Sequence, residues 1–166
     1  MASSFLTADL CDAHADKLET GRLRVLPPIL PLKLGGAPTA HGQIVTIKVF
    51  EDNALVRDKL SEAGAGRILL VDGGGSTRRA LVGGNLAKLG ADNAWAGIIV
   101  FGAVRDADEI DACNIVVRAI TTCPQPTQKQ GTGRVNIAVE IAGMRVEPGQ
   151  WLYEDRDGIL ISAAQL

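Results

Sequence analysis

The sequence predicts a single α/β domain built on a mixed sheet, and three observations lead there. "RILLVD" and "AGIIVFG" are short, nearly continuous apolar runs, the pattern of strands buried on both faces. Segments of helical periodicity alternate with such runs through the first part of the chain. From "NIVVRAI" onward the pattern turns strand-rich, through "RVNIAVEIAGMRV", "WLYED" and "GILIS".

Taken in order, "TADLCDAHADKLETG" reads as a helix, with Thr7 as its cap, Leu10 and Leu18 as apolar points and Gly21 as its stop. "LPPILPLKLGGAPTAHG", from Leu26 to Gly42, is rich in Pro and Gly and reads as an extended connection. "QIVTIKVF" is β-branched and predicts a strand. "EDNALVRDKLSEAGAG" has acids at its start, Leu55, Val56 and Leu60 on one side and glycines at its end, which predicts an amphipathic helix. "RRALVG" is a further strand. "NLAKLGADN" is a short helix capped by Asn85.

Composition narrows the function classes. The 166 residues fit one domain, with 46% hydrophobic and only 4% aromatic content, so the core must be mainly Leu, Ile, Val and Ala. Seventeen basic against nineteen acidic residues leave a net charge of −2. No basic run or basic–aromatic interleaving favours nucleic acid as a ligand. Cys11, Cys113 and Cys123 are odd in number and lack CxxC spacing, which argues against a disulfide framework or structural zinc. The N-terminus lacks a basic start and a sustained apolar run, and no segment nears the ~18 continuous apolar residues of a membrane span. A soluble cytoplasmic protein is expected.

Two glycine clusters stand out in "LVDGGGSTRRALVGGNLAKLG". Gly73 to Gly75 follow a strand, but no Gly-Lys-Ser/Thr follows them and the next segment reads as a strand. They fit neither a phosphate loop nor a dinucleotide fingerprint, and a tight turn with positive φ angles is the plainer reading. Gly83 and Gly84 sit at a strand end, with Asn85 at a helix start. Free amides at a helix N-terminus attract an anion, and glycine lets it reach the main chain, so this turn suits a carboxylate or phosphate. It also suits a turn that is glycine-rich for steric reasons alone.

The following strand ends in "VRDADEI". If the two strands are parallel neighbours joined by the helix, "GGNL" and "VRD" face one crevice at the edge where open α/β sheets keep their ligands. Neighbouring strand residues point to opposite faces, so Arg105 and Asp106 can both line the crevice only if the chain has left the strand. Arg105 then offers a planar fork to a carboxylate or enolate. Asp106 can hold one divalent ion otherwise hydrated, and Asp108 and Glu109 could fix its waters. A surface Arg–Asp pair with helix-capping acids is the alternative.

These motifs, together with "TADLCDA", "GQIVTIKVFEDNALVRDKL" and "WLYEDRDGILIS", resemble the 4-hydroxy-4-methyl-2-oxoglutarate aldolases and their relative, regulator of ribonuclease activity A, over nearly the whole chain. The resemblance implies a single-domain β/β/α swivelling-type fold assembling as a homotrimer or hexamer. Aldolase members carry a Gly, twenty residues, then Arg-Asp-x-x-Glu/Asp; Gly84, Arg105, Asp106 and Glu109 satisfy that pattern. The ribonuclease regulators can lose that aspartate, and this sequence keeps it.

The resemblance further implies a class II pyruvate aldolase dependent on Mg²⁺ or Mn²⁺, which also decarboxylates oxaloacetate. Its 2-oxo acid substrate would bind the amides of Gly83, Gly84, Asn85 and Leu86 and the Arg105 side chain, with Asp106 the metal ligand. The alternative it carries is a protein-binding inhibitor of ribonuclease E. Some aldolases of the family have longer C-terminal tails that complete a neighbour's active site, whereas this sequence ends at Leu166, which bears on the aldol substrate. His14 and His41 are distant in sequence from the crevice and are expected to be surface or capping residues. Cys113 and Cys123 are expected to pack, and Trp95 and Trp151 to cover core or subunit contacts. Asp72 and Arg78 flank the first glycine cluster as possible supports.

Overall fold

The computed structural model describes residues 4–166. Helices α1 (Thr7–Ala13) and α2 (Ala15–Glu19) lead into the short strands β1 (Leu23–Val25) and β2 (Leu32–Leu34). Then follow β3 (Ala40–Lys48), α3 (Ala54–Leu60), β4 (Ile68–Asp72), β5 (Ala80–Val82), α4 (Gly84–Asp92), β6 (Gly97–Val104), α5 (Ala107–Asp111) and β7 (Val116–Thr122). The rest is β: β8 (Arg134–Val135), β9 (Val139–Ile141), β10 (Met144–Val146), β11 (Trp151–Glu154) and β12 (Ile159–Ser162).

The main sheet runs β1-β12-β11-β3-β4-β6-β7-β2, with β5 beside β6 and β8 beside β3. Its centre, β3-β4-β6-β7, is parallel, and the flanks are antiparallel. Alternation along the central strands builds three layers. Leu69 and Val71 of β4 and Ile98 and Val100 of β6 meet Val56, Leu60, Leu86, Ala87 and Ile110 of the helices. Ile68, Leu70 and Ile99 point the other way, onto the β9–β10 hairpin and the antiparallel flank through Val139, Ile141, Val146, Leu152 and Ile161. This β/β/α stacking is why "RILLVD" and "GIIVFG" are apolar on both faces.

Several local expectations are corrected. The first helical segment breaks at His14 (φ −126°, ψ 38°), and its cap is Leu6. Thr7 lies inside the first turn, where its amide and hydroxyl donate to Asp155 at 2.6 and 2.7 Å. Burial raises the Asp155 carboxyl, but these donors and the amides of Asp157 and Gly158 outweigh it and hold the group below the usual carboxylate range. The Pro-rich connection contains β2 and the start of β3, because Leu32 to Leu34 pair with Val117 to Ala119. Helix α3 is confined to Ala54–Leu60, and Glu51 and Asp52 precede it with other work to do. Helix α4 is capped by Gly83, which places Asn85 inside the helix. Gly21, at φ 72°, does follow the end of α2, as a left-handed stop should.

The aromatic and sulfur residues pack. Trp95 is buried, with Nε1 donating to Glu62 O and Arg67 over its ring, and Trp151 lies half-buried beside the N-terminal helices. His41 stacks on Tyr153 and His14 meets Lys17, both away from the crevice. Cys113 and Cys123 are half-buried and reach backbone carbonyls. Among the described residues no helix is long and apolar enough to cross a membrane.

Candidate active site

Strands β5 and β6 are parallel neighbours, Ala80 opposite Ala103 and Val82 opposite Val104, so their carboxyl ends lie together. Helix α4 leaves from one end and α5 from the other. The Arg105 amide donates to Val82 O at 2.9 Å, extending the pairing just past β6 and bringing the "GGNL" and "VRD" turns together.

Asp106 then takes a left-handed conformation, φ 60° and ψ 49°, as the N-cap of α5. For a non-glycine residue this conformation costs about 1–3 kcal/mol, and it persists where the surroundings demand it. It lets two adjacent side chains serve one crevice. Asp106 Oδ2 accepts from the Gly84 amide at 3.0 Å and stands 3.9 Å from Arg105 Nε. The two side chains remain open to solvent, 40% and 39% exposed.

A Cβ would be crowded at both glycines, at Gly83 by the end of a side chain free to yield and at Gly84 by Glu109. A Cβ on Gly83 would stand 2.7 Å from Asp106 Oδ2 and 3.3 Å from Arg105 Cγ. A Cβ on Gly84 would overlap the Glu109 carboxylate and lie 2.7 Å from Glu109 Cβ. The first anion held at this helix N-terminus is therefore the protein's own Asp106, which occupies the Gly84 amide. Among the described residues, the amides of Gly83, Asn85 and Leu86 have no protein acceptor, and they remain for a ligand. The Leu86 side chain belongs to the core, so only its backbone can reach the crevice, while the Asn85 side chain is exposed. Asp108 is exposed on the solvent side of α5, and Glu109 leans over Gly84.

The donor set suits a largely hydrated divalent ion. Asp106 Oδ1 has no protein partner among the described residues, and no group of three or more His, Cys, Asp or Glu side chains converges there to form a dehydrated cage. Beside the crevice, a groove of ≈ 500 Å³ runs between α4 and α5, lined by Gly84, Asn85, Lys88, Glu109 and Cys113 among others.

The first glycine cluster is a turn. Gly74 and Gly75 have φ of 67° and 74°, and the buried Asp72 carboxylate accepts from the Gly74 amide at 2.9 Å. Arg78 pairs with Glu51 at 2.7 Å. Neither residue enters the crevice by these contacts.

One feature of the site was not read from the residues: Arg105 Nη1 donates to Pro124 O at 3.4 Å, from the loop after β7.

A mixed sheet whose parallel centre carries a helix N-terminus and an Arg–Asp pair at its carboxyl edge defines an open α/β protein. The match to known proteins is closer than class. Residues 7–161 match the family model described as RraA-like: Aldolase/RraA, and the chain belongs to that family. A Paraburkholderia phymatum relative, "Putative 4-hydroxy-4-methyl-2-oxoglutarate aldolase", is 54% identical over 163 residues, 98% of this chain and 99% of its own. The RNA-processing inhibitor RraA from Thermus thermophilis superposes with a TM-score of 0.90 at 40% identity, covering 98% of this chain and 95% of that one. A Geobacillus kaustophilus structure described as S-adenosylmethionine: 2-dimethylmenaquinone methyltransferase superposes with a TM-score of 0.90 at 42% identity, covering 98% and 97%. Three activities are named on one fold, so the site has to decide among them.

Proposed function

We propose that this protein is a class II pyruvate aldolase that cleaves 4-hydroxy-4-methyl-2-oxoglutarate-type 2-oxo acids to pyruvate, with oxaloacetate decarboxylation as a second use of the same crevice. The observation that carries the reading is the left-handed Asp106, which presents its own carboxylate and the Arg105 guanidinium over the Gly83–Gly84 turn. The aldolase name of the 54% identical relative supports it. A methyl-transfer reading gains nothing from a glycine motif, since Gly73 to Gly75 turn toward the strand β5 where a dinucleotide fingerprint would open a helix.

In this reading the free amides of Asn85 and Leu86 and the Arg105 fork hold the pyruvyl carboxylate and orient the 2-oxo group. A divalent ion, Mg²⁺ or Mn²⁺, held by Asp106 through its free oxygen would supply Lewis-acid polarisation of the substrate's 2-oxo oxygen. Loss of the C4 hydroxyl proton to water lets the C3–C4 bond break. The bond's electron pair moves to the 2-oxo oxygen, giving the pyruvate enolate and releasing the other fragment as a carbonyl compound. Arg105 stabilises the enolate charge as it develops. Water then returns a proton to C3; Lys88, in the adjoining groove, is paired with Asp92 at 2.7 Å and held protonated by it. Oxaloacetate needs no such deprotonation: its C4 carboxylate leaves directly as CO₂, and the C3–C4 electron pair gives the same pyruvate enolate. Asp108 and Glu109 are the carboxylates that would order the water.

We also infer a trimer, or a pair of trimers, which is what the resemblance to the aldolases of this family implies. The reading is that of a cytoplasmic enzyme of small 2-oxo acids. The Thermus thermophilis structure favours a second, compatible reading: inhibition of ribonuclease E through the outer surface. Pyruvate release from 4-hydroxy-4-methyl-2-oxoglutarate and from oxaloacetate, followed with Mg²⁺, Mn²⁺ or chelator, tests the enzyme reading. Metal-dependent release from both is expected; none from either, together with inhibition of ribonuclease E, would replace it with the second.

A further inference from the structure

Strand β5 has only three residues, and its pairing with β6 slips register between Ala80 and Val82. Such a strand is poorly held by its own ladder, yet it delivers Gly83 and Gly84 to the crevice. Its other side is covered by the segment Cys123 to Thr132. The Ala80 amide donates to Gln125 O at 2.8 Å, Ala80 bridges Pro126, and Arg79 Nη1 donates to Pro126 O at 3.0 Å. The same segment begins with the Cys123 amide on Val104 O at 2.9 Å and passes Pro124 O to Arg105 Nη1. It therefore touches both halves of the crevice.

What fastens the segment is Asp52. This carboxylate is 3% exposed and carries no cationic partner among the described residues. Its Oδ2 accepts from the Gln130 amide at 2.9 Å and from the Thr132 amide and hydroxyl, each at 3.2 Å. Oδ1 accepts from the Ala54 amide at 3.0 Å, and Asp52 bridges Gln128. Next to it, Asn53 Nδ2 donates to Leu81 O at 3.1 Å, tying the same corner to β5. A buried carboxylate is expensive to desolvate, and here four donors converge on it from the start of α3 and from the far end of the segment.

We propose that Cys123 to Thr132 is a strap that sets the positions of the Gly83–Gly84 turn and of Arg105, and that Asp52 is the positioning residue that clamps it. The function served rests on the aldolase reading; the clamp itself does not. Asp52→Ala removes all four acceptor contacts, whereas Asp52→Asn keeps the shape and one acceptor oxygen.

Amide hydrogen exchange tests the clamp without reference to chemistry. In Asp52→Ala the Ala80 amide, protected by the strap, should exchange faster by about tenfold or more, with Ile68 to Asp72 of the central strand unchanged. Asp52→Asn should fall between. Oxalate, a mimic of the pyruvate enolate, should bind the Mg²⁺-loaded variant about tenfold more weakly, and this loss should shrink in an Arg105→Ala background, because one of the two routes from strap to ligand is then already cut. Unchanged exchange at Ala80, or equal acceleration throughout β4 and β6, would overturn the strap, the latter assigning Asp52 a general stabilising role. Pyruvate release by the wild-type protein is measured alongside: its absence with local loosening at Ala80 sinks the aldolase reading and keeps the strap.

Discussion

Gly83→Ala perturbs the candidate site with one methyl group. Gly83 is extended, at φ −126° and ψ −171°, a conformation open to alanine, so the backbone carries no penalty. Replacing Gly by Ala where the native conformation permits it stabilises by about 0.4–1 kcal/mol through the unfolded chain. Against this, the new Cβ stands 2.7 Å from Asp106 Oδ2 and 3.5 Å from Arg105 Nε, the first well inside contact distance. The Asp106 carboxylate, 39% exposed, is the group free to yield, and yielding breaks its bond to the Gly84 amide. A hydrogen bond to a charged group is worth about 1.5–3 kcal/mol, so kcat/KM should fall by about one to two orders of magnitude. The thermal midpoint should move by no more than a few degrees, on the order of 2–4 °C per kcal/mol for a chain of this size. Steady-state pyruvate release and a melting curve on the same preparation give both numbers. Wild-type kinetics in Gly83→Ala would show that the Asp106–Gly84 contact has no part in catalysis.

Other outcomes follow from the same geometry. Arg105→Lys keeps the charge and loses the planar fork, so kcat/KM should drop about tenfold or more, ~1.4 kcal/mol of transition-state stabilisation, with folding unchanged in a melt. Asp155 and Asp52 both sit below the usual carboxylate range: burial of each is outweighed by amide and hydroxyl donors. A carboxylate lowered in the folded state stabilises above its unfolded pKa, and that contribution is lost as pH falls through the folded value. The melting midpoint should therefore decline on acidification below about pH 4, and less steeply in Asp155→Asn. Glu154 is raised by burial against the pull of Lys33 and Arg118, so its contribution declines as pH rises above the ordinary glutamate value; the acid limb belongs to the two aspartates and to Glu51, lowered by its bonds from Ser76 and Arg78. Light scattering at micromolar concentration should report a trimer or a multiple of it; a stable monomer would refute the assembly inferred from the family resemblance.

The central strands and the meeting of "GGNL" with "VRD" were legible because both are local signals propagated by one simple topology. A buried parallel strand needs apolar residues on both faces, and a strand–helix–strand unit brings consecutive carboxyl ends to one edge. Side-chain alternation showed that Arg105 and Asp106 could share the crevice only once the chain had left the strand. Illegible features depend on partners remote in sequence. Thr7 looks like a helix cap, but its acceptor is 148 residues away at Asp155. Asp52 looks like an acid favouring a helix N-terminus, yet most of its donors come from 78 to 80 residues on. Strand β2 hides among prolines because only pairing with β7 makes Leu32 to Leu34 a strand. Asn85 failed as a cap for a different reason. Asp106 and Glu109 crowd the two preceding positions, where glycine leaves them room, and the cap falls two residues earlier than propensity suggests.

The most direct test of the aldolase account is pyruvate release by Asp106→Ala across a Mg²⁺ titration, beside wild type stripped by chelator and then resupplied. A single, half-exposed carboxylate should hold the ion weakly, so chelator should abolish wild-type activity without shifting its melting midpoint, and Mg²⁺ or Mn²⁺ should restore it. Asp106→Ala should remain folded and inactive at every Mg²⁺ concentration. Full activity of Asp106→Ala in chelator would contradict the account and leave the inhibitor reading in its place.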